Sequence, residues 1–224
     1  MQLSSETITV LKNMANINPN IVIQPGSKLT TIGESRTVFA TATVQEAFPI
    51  QMGIYDLDEF LRAVALVDKA DLTFNDKYVQ ISDQSNRASI KYFYSSPDIL
   101  TSPKKDIVMP HAEVTFTVDN DTMNNVIKAA GVFGHDMFTV TANNGTLSLG
   151  VVDPEDSTSN AYSIDIDGEF ETEDFKFIIR ISNLKMLPGT YEVKLSSKEI
   201  SQFTNVEKDI TYWVALEKNS QYGG

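Results

Sequence analysis

The chain has 224 residues, of which 42% are hydrophobic and 21% charged, with 18 Lys and Arg against 30 Asp and Glu for a formal net charge of -12. That length allows one large domain or two of roughly 100 residues, and no apolar run approaches the roughly 20 residues that cross a bilayer. There is no cysteine, which excludes a disulfide framework, and the start MQLSSETITV has neither the basic residues nor the apolar run of a secretory signal.

These features predict an intracellular protein, so that the sequons at Asn120 and Asn144 carry no glycan. In chain order, a helix over 5–15 opens the fold, capped at Ser5. Its VLKNMANIN stretch turns Val10, Leu11 and Met14 one way and Lys12, Asn13 and Asn16 the other. NIVIQ, KLTTIG and RTVFATATV follow as strands by their alternation of β-branched or aromatic with polar residues. Asp56 then caps a second helix over 57–67, and ADLTF, YVQIS and ASIKYFY return to the strand pattern. Three prolines within SSPDILTSPKKDIVMPH (95–111) forbid a central strand there and mark a connector. Beyond it come VTFTV, a helix over 120–131 opened at Asp121, and the strands MFTVTA, TLSLGVV, AYSIDID and FKFIIRI. A fourth helix over 181–187, opened at Ser182, precedes YEVKLS and ITYWVALE.

The second half repeats the first at an offset of about 120 residues. VLKNMA (10–15) lies over VIKAAG (126–131), and IVIQPGSKLTTIG (21–33) over FTVTANNGTLSLG (138–150), each read as a hairpin with a glycine-containing turn. TVFATATV (37–44) lies over NAYSIDID (160–167), YDLDEFL (55–61) over IRISNLK (179–185), and RASIKYFY (87–94) over DITYWVAL (209–216). The expected organisation is a domain over 1–98, a connector over 99–112 and a similar domain over 113–224. Each is an α+β assembly of antiparallel sheets with two short helices.

Each predicted helix carries a cation, namely Lys12, Arg62, Lys128 and Lys185, with Lys69 just past the second. Two readings stay open on pattern alone. Lys and Arg are good surface helix formers, or the helices share a basic face while the strands carry the acid. Signals for catalysis are weak. His111 and His135 are the only histidines, and without cysteine or H-E-x-x-H no zinc site is expected. FGHDMF reads as a loop histidine beside Asp136. Asp56, Asp58 and Glu59 read as a helix start rather than a cation site, with Glu59 three residues after the cap. DPEDSTSN (153–160) lacks the glycine and final glutamate of an EF-hand loop and reads as a solvated turn. No phosphate-cradling glycine motif occurs, so no cofactor and no catalytic residue are expected.

LKNMANIN (11–18), IYDLDEFL (54–61), FKFIIRISNLKMLPGTY (175–191) and YWVALE (212–217) resemble, in order and spacing, the DNA polymerase sliding clamps of T-even-type bacteriophages. The likeness runs nearly end to end and is poorer over 30–50 and 153–161. It implies the DNA-clamp fold, three subunits closed head to tail into a ring, and helices that line the hole. It further implies a non-enzymatic processivity factor that encircles duplex DNA without sequence preference and holds the replicative polymerase. An ATP-dependent clamp loader as partner, a role in late transcription, and the cytoplasm of the infected bacterium as location come with it. The DNA-facing set is then Lys12, Asn13, Arg62, Lys69, Asn124, Asn125, Lys128 and Lys185. A pocket for partner peptides is expected around Val108, Met109, Pro110, Leu187, Pro188 and Trp213, and the subunit joint at edge strands near 160–166 and 107–116. The alternative is a structural or assembly protein of a phage built from duplicated β-rich domains.

Overall fold

A computed structural model describes residues 1–85, 87–153, 156 and 158–223. The chain divides into two compact units, Met1–Asp106 and Ile107–Gly224.

In the first unit, α1 (Ser5–Ile17) begins at the expected residue, and its cap lies one residue before the expected Ser5. Ser4 is the N-cap and its hydroxyl accepts from Thr7 N at 3.1 Å, while Glu46 accepts from the Ser4 N–H at 2.5 Å. With its own N–H held from outside the helix, Ser4 is fixed in the extended conformation an N-cap requires. The strands are β1 (Ile21–Ile23), β2 (Gly26–Ile32), β3 (Val38–Phe48) and β4 (Met52–Ile54), then α2 (Leu57–Ala65), β5 (Asp71–Phe74), β6 (Tyr78–Ser82) and β7 (Ser89–Phe93). β2 and β3 form a long hairpin with Leu29 opposite Ala42. β5, β6 and β7 form a three-stranded sheet with Leu72, Ile81 and Ile90 in one row. The hairpin expected over 21–33 does not form, because β1 pairs with β4, Ile21 opposite Ile54. Pro25 offers no N–H to a ladder, and Gly26 at φ 111 turns the chain away. Leu11, Met14, Ile23, Phe60, Val79 and Ile81 are fully buried, so α1 and α2 each press an apolar stripe onto this core.

The second unit contains β8 (Val114–Val118), α3 (Asn120–Phe133), β9 (Met137–Asn143), β10 (Thr146–Val151), β11 (Tyr162–Ile166), β12 (Gly168–Phe170), β13 (Phe175–Arg180), β14 (Tyr191–Ser196), β15 (Ile200–Asn205), β16 (Ile210–Ala215) and β17 (Gln221–Tyr222). All its ladders are antiparallel. One sheet runs β11-β10-β9-β13-β17 and the other contains β12-β8-β14-β15-β16. Here the predicted hairpin is present, with Asn144 and Gly145 both at positive φ between β9 and β10, as a two-residue hairpin turn demands. α3 starts at Asn120 as predicted, but its cap lies two residues before the expected Asp121, since Asp119 accepts from Thr122 N at 2.7 Å. It packs on the sheet of β9, β10 and β11.

The fourth helix is corrected to a single 3-10 turn, Ile181–Asn183, so among the described residues the second unit has one α-helix and not two. Pro188 disfavours helical backbone in the residue before it. Leu187 also has better partners: its N–H donates to the Tyr212 hydroxyl at 3.2 Å and its carbonyl accepts from the Tyr191 hydroxyl at 2.5 Å. Between 107 and 113 no residue is in a strand, and β8 is no edge, being paired on one side to β12 and on the other to β14. β11 has β10 as its one partner in the sheet. Of the expected turn over 153–160, residues 154, 155 and 157 lie outside the described residues.

Candidate nucleic-acid interface

Each helix is acidic at its start and cationic further along. Glu6 lies in the first turn of α1, Asp58 and Glu59 in that of α2, and Asp121 in that of α3, where the helix dipole favours negative charge. Lys12, Arg62 and Lys128 follow on the same helices and are exposed. Asn124 and Lys128 are four residues apart on α3, hence on one face, and Asn124 and Asn125 are both exposed. Among the described residues none of Lys12, Arg62, Lys69 or Lys128 is held in a salt bridge. Their ammonium and guanidinium groups keep full donor capacity for a polyanion.

Lys12 and Lys69 meet at one place. Together with Leu3, Ile8, Leu61 and Val64 they line a cleft of about 240 Å³ between α1 and α2. Lys69 sits in the left-handed region at φ 47 in the turn after α2, and its carbonyl accepts from the Gln2 side chain at 3.5 Å.

Two of the expected DNA-facing residues need correction. Asn13 is 6% exposed and is not a surface hydrogen-bonder. The spacing Val10, Asn13, Ile17 is helical, so Asn13 lies on the inward stripe with them, and a count of turns rather than of polar residue types reveals it. Lys185 is exposed but lies just past the 3-10 turn, outside any helix, with its N–H donating to Asn183 O.

The six residues of the expected peptide pocket all lie in the second unit. Val108 is 85% exposed, Met109 and Pro110 are half-buried, and Pro188 is exposed. Leu187 and Trp213 are half-buried. The Tyr212 hydroxyl that receives the Leu187 N–H belongs to a fully buried side chain, whereas Trp213, the next residue of β16, points to the opposite face of the strand. Leu187 and Trp213 therefore lie on different sides of β16.

The histidines serve structure. His135 donates its backbone N–H to Ala130 O as α3 closes through Gly134 at φ 72, and its Nε2 lies 2.6 Å from Asn160 O. Asp136 pairs with Arg180 at 2.7 Å instead. His111 and Glu171 form an exposed pair at 2.7 Å. Asp56 caps α2 by accepting from Glu59 N at 2.8 Å. Tyr92 donates its hydroxyl to Asp56 O at 3.0 Å and is pushed up to about 12 by burial and by the carboxylates of Glu59 and Asp56.

Sequence reasoning missed two acids that the fold ties down. Burial alone would raise Glu113, but hydrogen bonds from the Ser197 hydroxyl at 2.6 Å and the Ser197 N–H at 2.8 Å outweigh it and hold the carboxyl below its ordinary value. Half-buried Glu46 is held down in the same way by Thr7 and Ser4. Neither acid has a sequence signal, because their partners are 84 and 39 or more residues away.

A family model for the DNA polymerase processivity factor matches residues 4–109, and one for the gp45 sliding clamp, C terminal, matches residues 115–218. The sliding clamp of Enterobacteria phage T4 is 30% identical over 229 residues, covering 99% of each chain. The chain belongs to the phage sliding-clamp family. The sliding clamp of Vibrio phage KVP40 is 28% identical over 223 residues, covering 97% of this chain and 99% of its own. Among solved structures, the PCNA2–PCNA3 complex from Sulfolobus tokodaii superposes with a TM-score of 0.68 at 15% identity, over 94% of this chain and 95% of that one. That likeness shows the clamp fold. The protein is thus a non-enzymatic processivity factor of DNA polymerase, which sets aside the reading as a structural phage protein. No helix among the described residues is long and apolar enough to cross a membrane.

Proposed function

We propose that three copies of the chain close head to tail into a ring around duplex DNA and tether the replicative polymerase to it. The observation that supports this most is the set of exposed side chains Lys12, Arg62, Lys69, Asn124 and Lys128, all on or next to helices, whose cations make no salt bridge among the described residues. Cations that meet phosphates give a sequence-independent, salt-sensitive attraction, and nothing in this set forms a fork for reading base edges. A ring is held by topology, so weak contacts suffice and sliding is not braked. Acid is concentrated in the second unit, with 8 of the 18 Lys and Arg but 18 of the 30 Asp and Glu. That surplus repels DNA from surfaces other than the helices.

For the joint, β7 and β11 are suited as edges. β7 presents Lys91 and the 64% exposed Phe93, and β11 presents Asp165 between the half-buried Ile164 and Ile166. An aromatic edge with a cation joins an aliphatic edge with an anion, and both edges are covered. The contact is heterologous, the kind that forms a ring when its rotation closes after three copies. The expected companions are an ATP-driven loader that opens the ring, partner peptides anchored near Val108, Met109, Pro110, Leu187, Pro188 or Trp213, a role in late transcription, and a site of action in the cytoplasm of the infected bacterium.

Retention on DNA tests the ring. After loading, the protein should stay on circular duplex through a high-salt wash and leave linear duplex by its ends. Equal loss from both forms, or a solution mass that never reaches three chains, would refute the proposal.

A further inference from the structure

We propose that the cleft between α1 and α2 takes one unstacked nucleotide of single-stranded DNA. The inference deepens the DNA-facing reading of these helices and rests on it. A cleft of about 240 Å³ is smaller than the roughly 300–1,000 Å³ of pockets for drug-sized ligands, so it admits one flat group. Its floor is aliphatic, with Ile8, Leu61, Val64 and Val67, and its rim carries Lys12 and Lys69. Neither lysine is in a salt bridge among the described residues. An apolar floor under a cationic rim fits a ligand with an apolar face joined to an anion. A nucleotide has both, with the base laid on aliphatic carbon and the phosphate between the ammonium groups.

Duplex DNA cannot use the cleft, because its bases stay stacked and paired. A base already single-stranded has little stacking to give up. Gln2 also lines the cleft, and besides the N–H it gives to the Lys69 carbonyl it has a second N–H and an acceptor oxygen for a base edge. Lys69 is in the left-handed region at φ 47, which an L-residue adopts reluctantly. A peptide anchored by several apolar side chains needs a longer groove than this one. The anion nearest at hand on a DNA-facing helix pair is phosphate.

The test uses the full chain and fluorescence anisotropy of a labelled oligothymidylate of about twelve nucleotides, beside an abasic strand of equal length and charge. Ala65 is exposed and lines the cleft, so Ala65→Phe fills it while leaving both lysines. The expected results are about tenfold weaker binding of the abasic strand by the unaltered protein, and about tenfold weaker oligothymidylate binding by Ala65→Phe, the effect of apolar area left in water when one base is not buried. Retention of Ala65→Phe on circular duplex should match the unaltered chain. Equal binding of the abasic strand would reduce the effect to phosphate attraction and overturn the proposal, as would unchanged binding by Ala65→Phe. A labelled Asp–Leu peptide that binds more tightly than the oligonucleotide and is lost in Ala65→Phe would assign the cleft to a peptide and also overturn it. Loss of circular-duplex retention by the unaltered protein, with oligothymidylate binding intact, would instead strike the ring and leave the cleft standing.

Discussion

Replacing Gly53 with alanine probes how the chain is held where it leaves the first unit. Gly53 lies in the middle of β4, and its carbonyl accepts from the Ser95 N–H at 2.9 Å across an isolated antiparallel bridge. A Cβ at this position would collide with the Ser95 carbonyl oxygen and approach Leu100 Cδ1 to 2.8 Å. The leucine tip can rotate, but the carbonyl belongs to backbone and must move with its segment. Losing the bridging hydrogen bond costs about 1 kcal/mol and the overpacking about 1–3 kcal/mol, so the substitution costs about 2–4 kcal/mol in all. With a urea dependence of about 2 kcal/mol per molar, the unfolding midpoint falls by about 1–2 M. Far-UV circular dichroism reads both units, while Trp213, the one tryptophan, reads the second. The dichroism midpoint should therefore drop, and the fluorescence midpoint should move less. A dichroism midpoint unchanged to within about 0.2 M would show that the Ser95 segment yields freely, and the steric reasoning would be wrong.

The Glu113 carboxylate predicts a pH effect. Because hydrogen bonds from Ser197 hold it below its ordinary value, its contribution is complete above about pH 4.5 and is lost as pH falls through the folded value. Glu113→Gln should cost about 1–2 kcal/mol at neutral pH and flatten the acid limb of a stability-against-pH curve. An acid limb identical to that of the unaltered protein would exclude Glu113 as its source. Lys12→Glu with Lys128→Glu should lower the salt slope of duplex binding by about 0.9 for each phosphate that is no longer neutralised, measured by titration at several salt concentrations; an unaltered slope would place both lysines away from DNA. Phe93→Asp on the β7 edge should shift the solution mass at micromolar concentration toward one chain, whereas a mass still at three chains would move the joint elsewhere. Val108→Ala with Met109→Ala should weaken binding of an apolar polymerase-tail peptide by about tenfold, roughly 1.4 kcal/mol, and a peptide that binds equally well would place its pocket away from these residues.

Much of the fold is legible in local pattern. β8, β16 and most of β14 alternate with one face buried, and a period of two is visible wherever one face meets a core; β9 and β13 are buried on both faces over three or four consecutive residues. β15 escapes notice because Ser201 and Asn205 occupy inward positions beside Phe203. The Ser201 hydroxyl donates to Val214 O at 2.7 Å, and Asn205 Oδ1 accepts from the N–H groups of Glu207 and Lys208. The candidate interface is legible as residue types: Lys12, Arg62 and Lys128 stand on the expected helices and are exposed. Which polar residues join them is not, since Asn13 looks like a surface residue by chemistry and is buried by angle.

The sequence by itself determined where most strands and the three α-helices form, and that each α-helix carries a cation after an acidic start. Those properties follow from residue-by-residue preference and spacing, which act over a few neighbours. Only the tertiary structure decided that β1 joins β4 rather than β2, that Leu187 is drawn out of a helix by two tyrosine hydroxyls, and that Lys12 and Lys69 face each other across an apolar cleft. Each of those depends on groups 25 or more residues apart, except the Tyr191–Leu187 bond at a separation of 4. Contacts at such range are set by how whole faces pack, which no short stretch of sequence encodes.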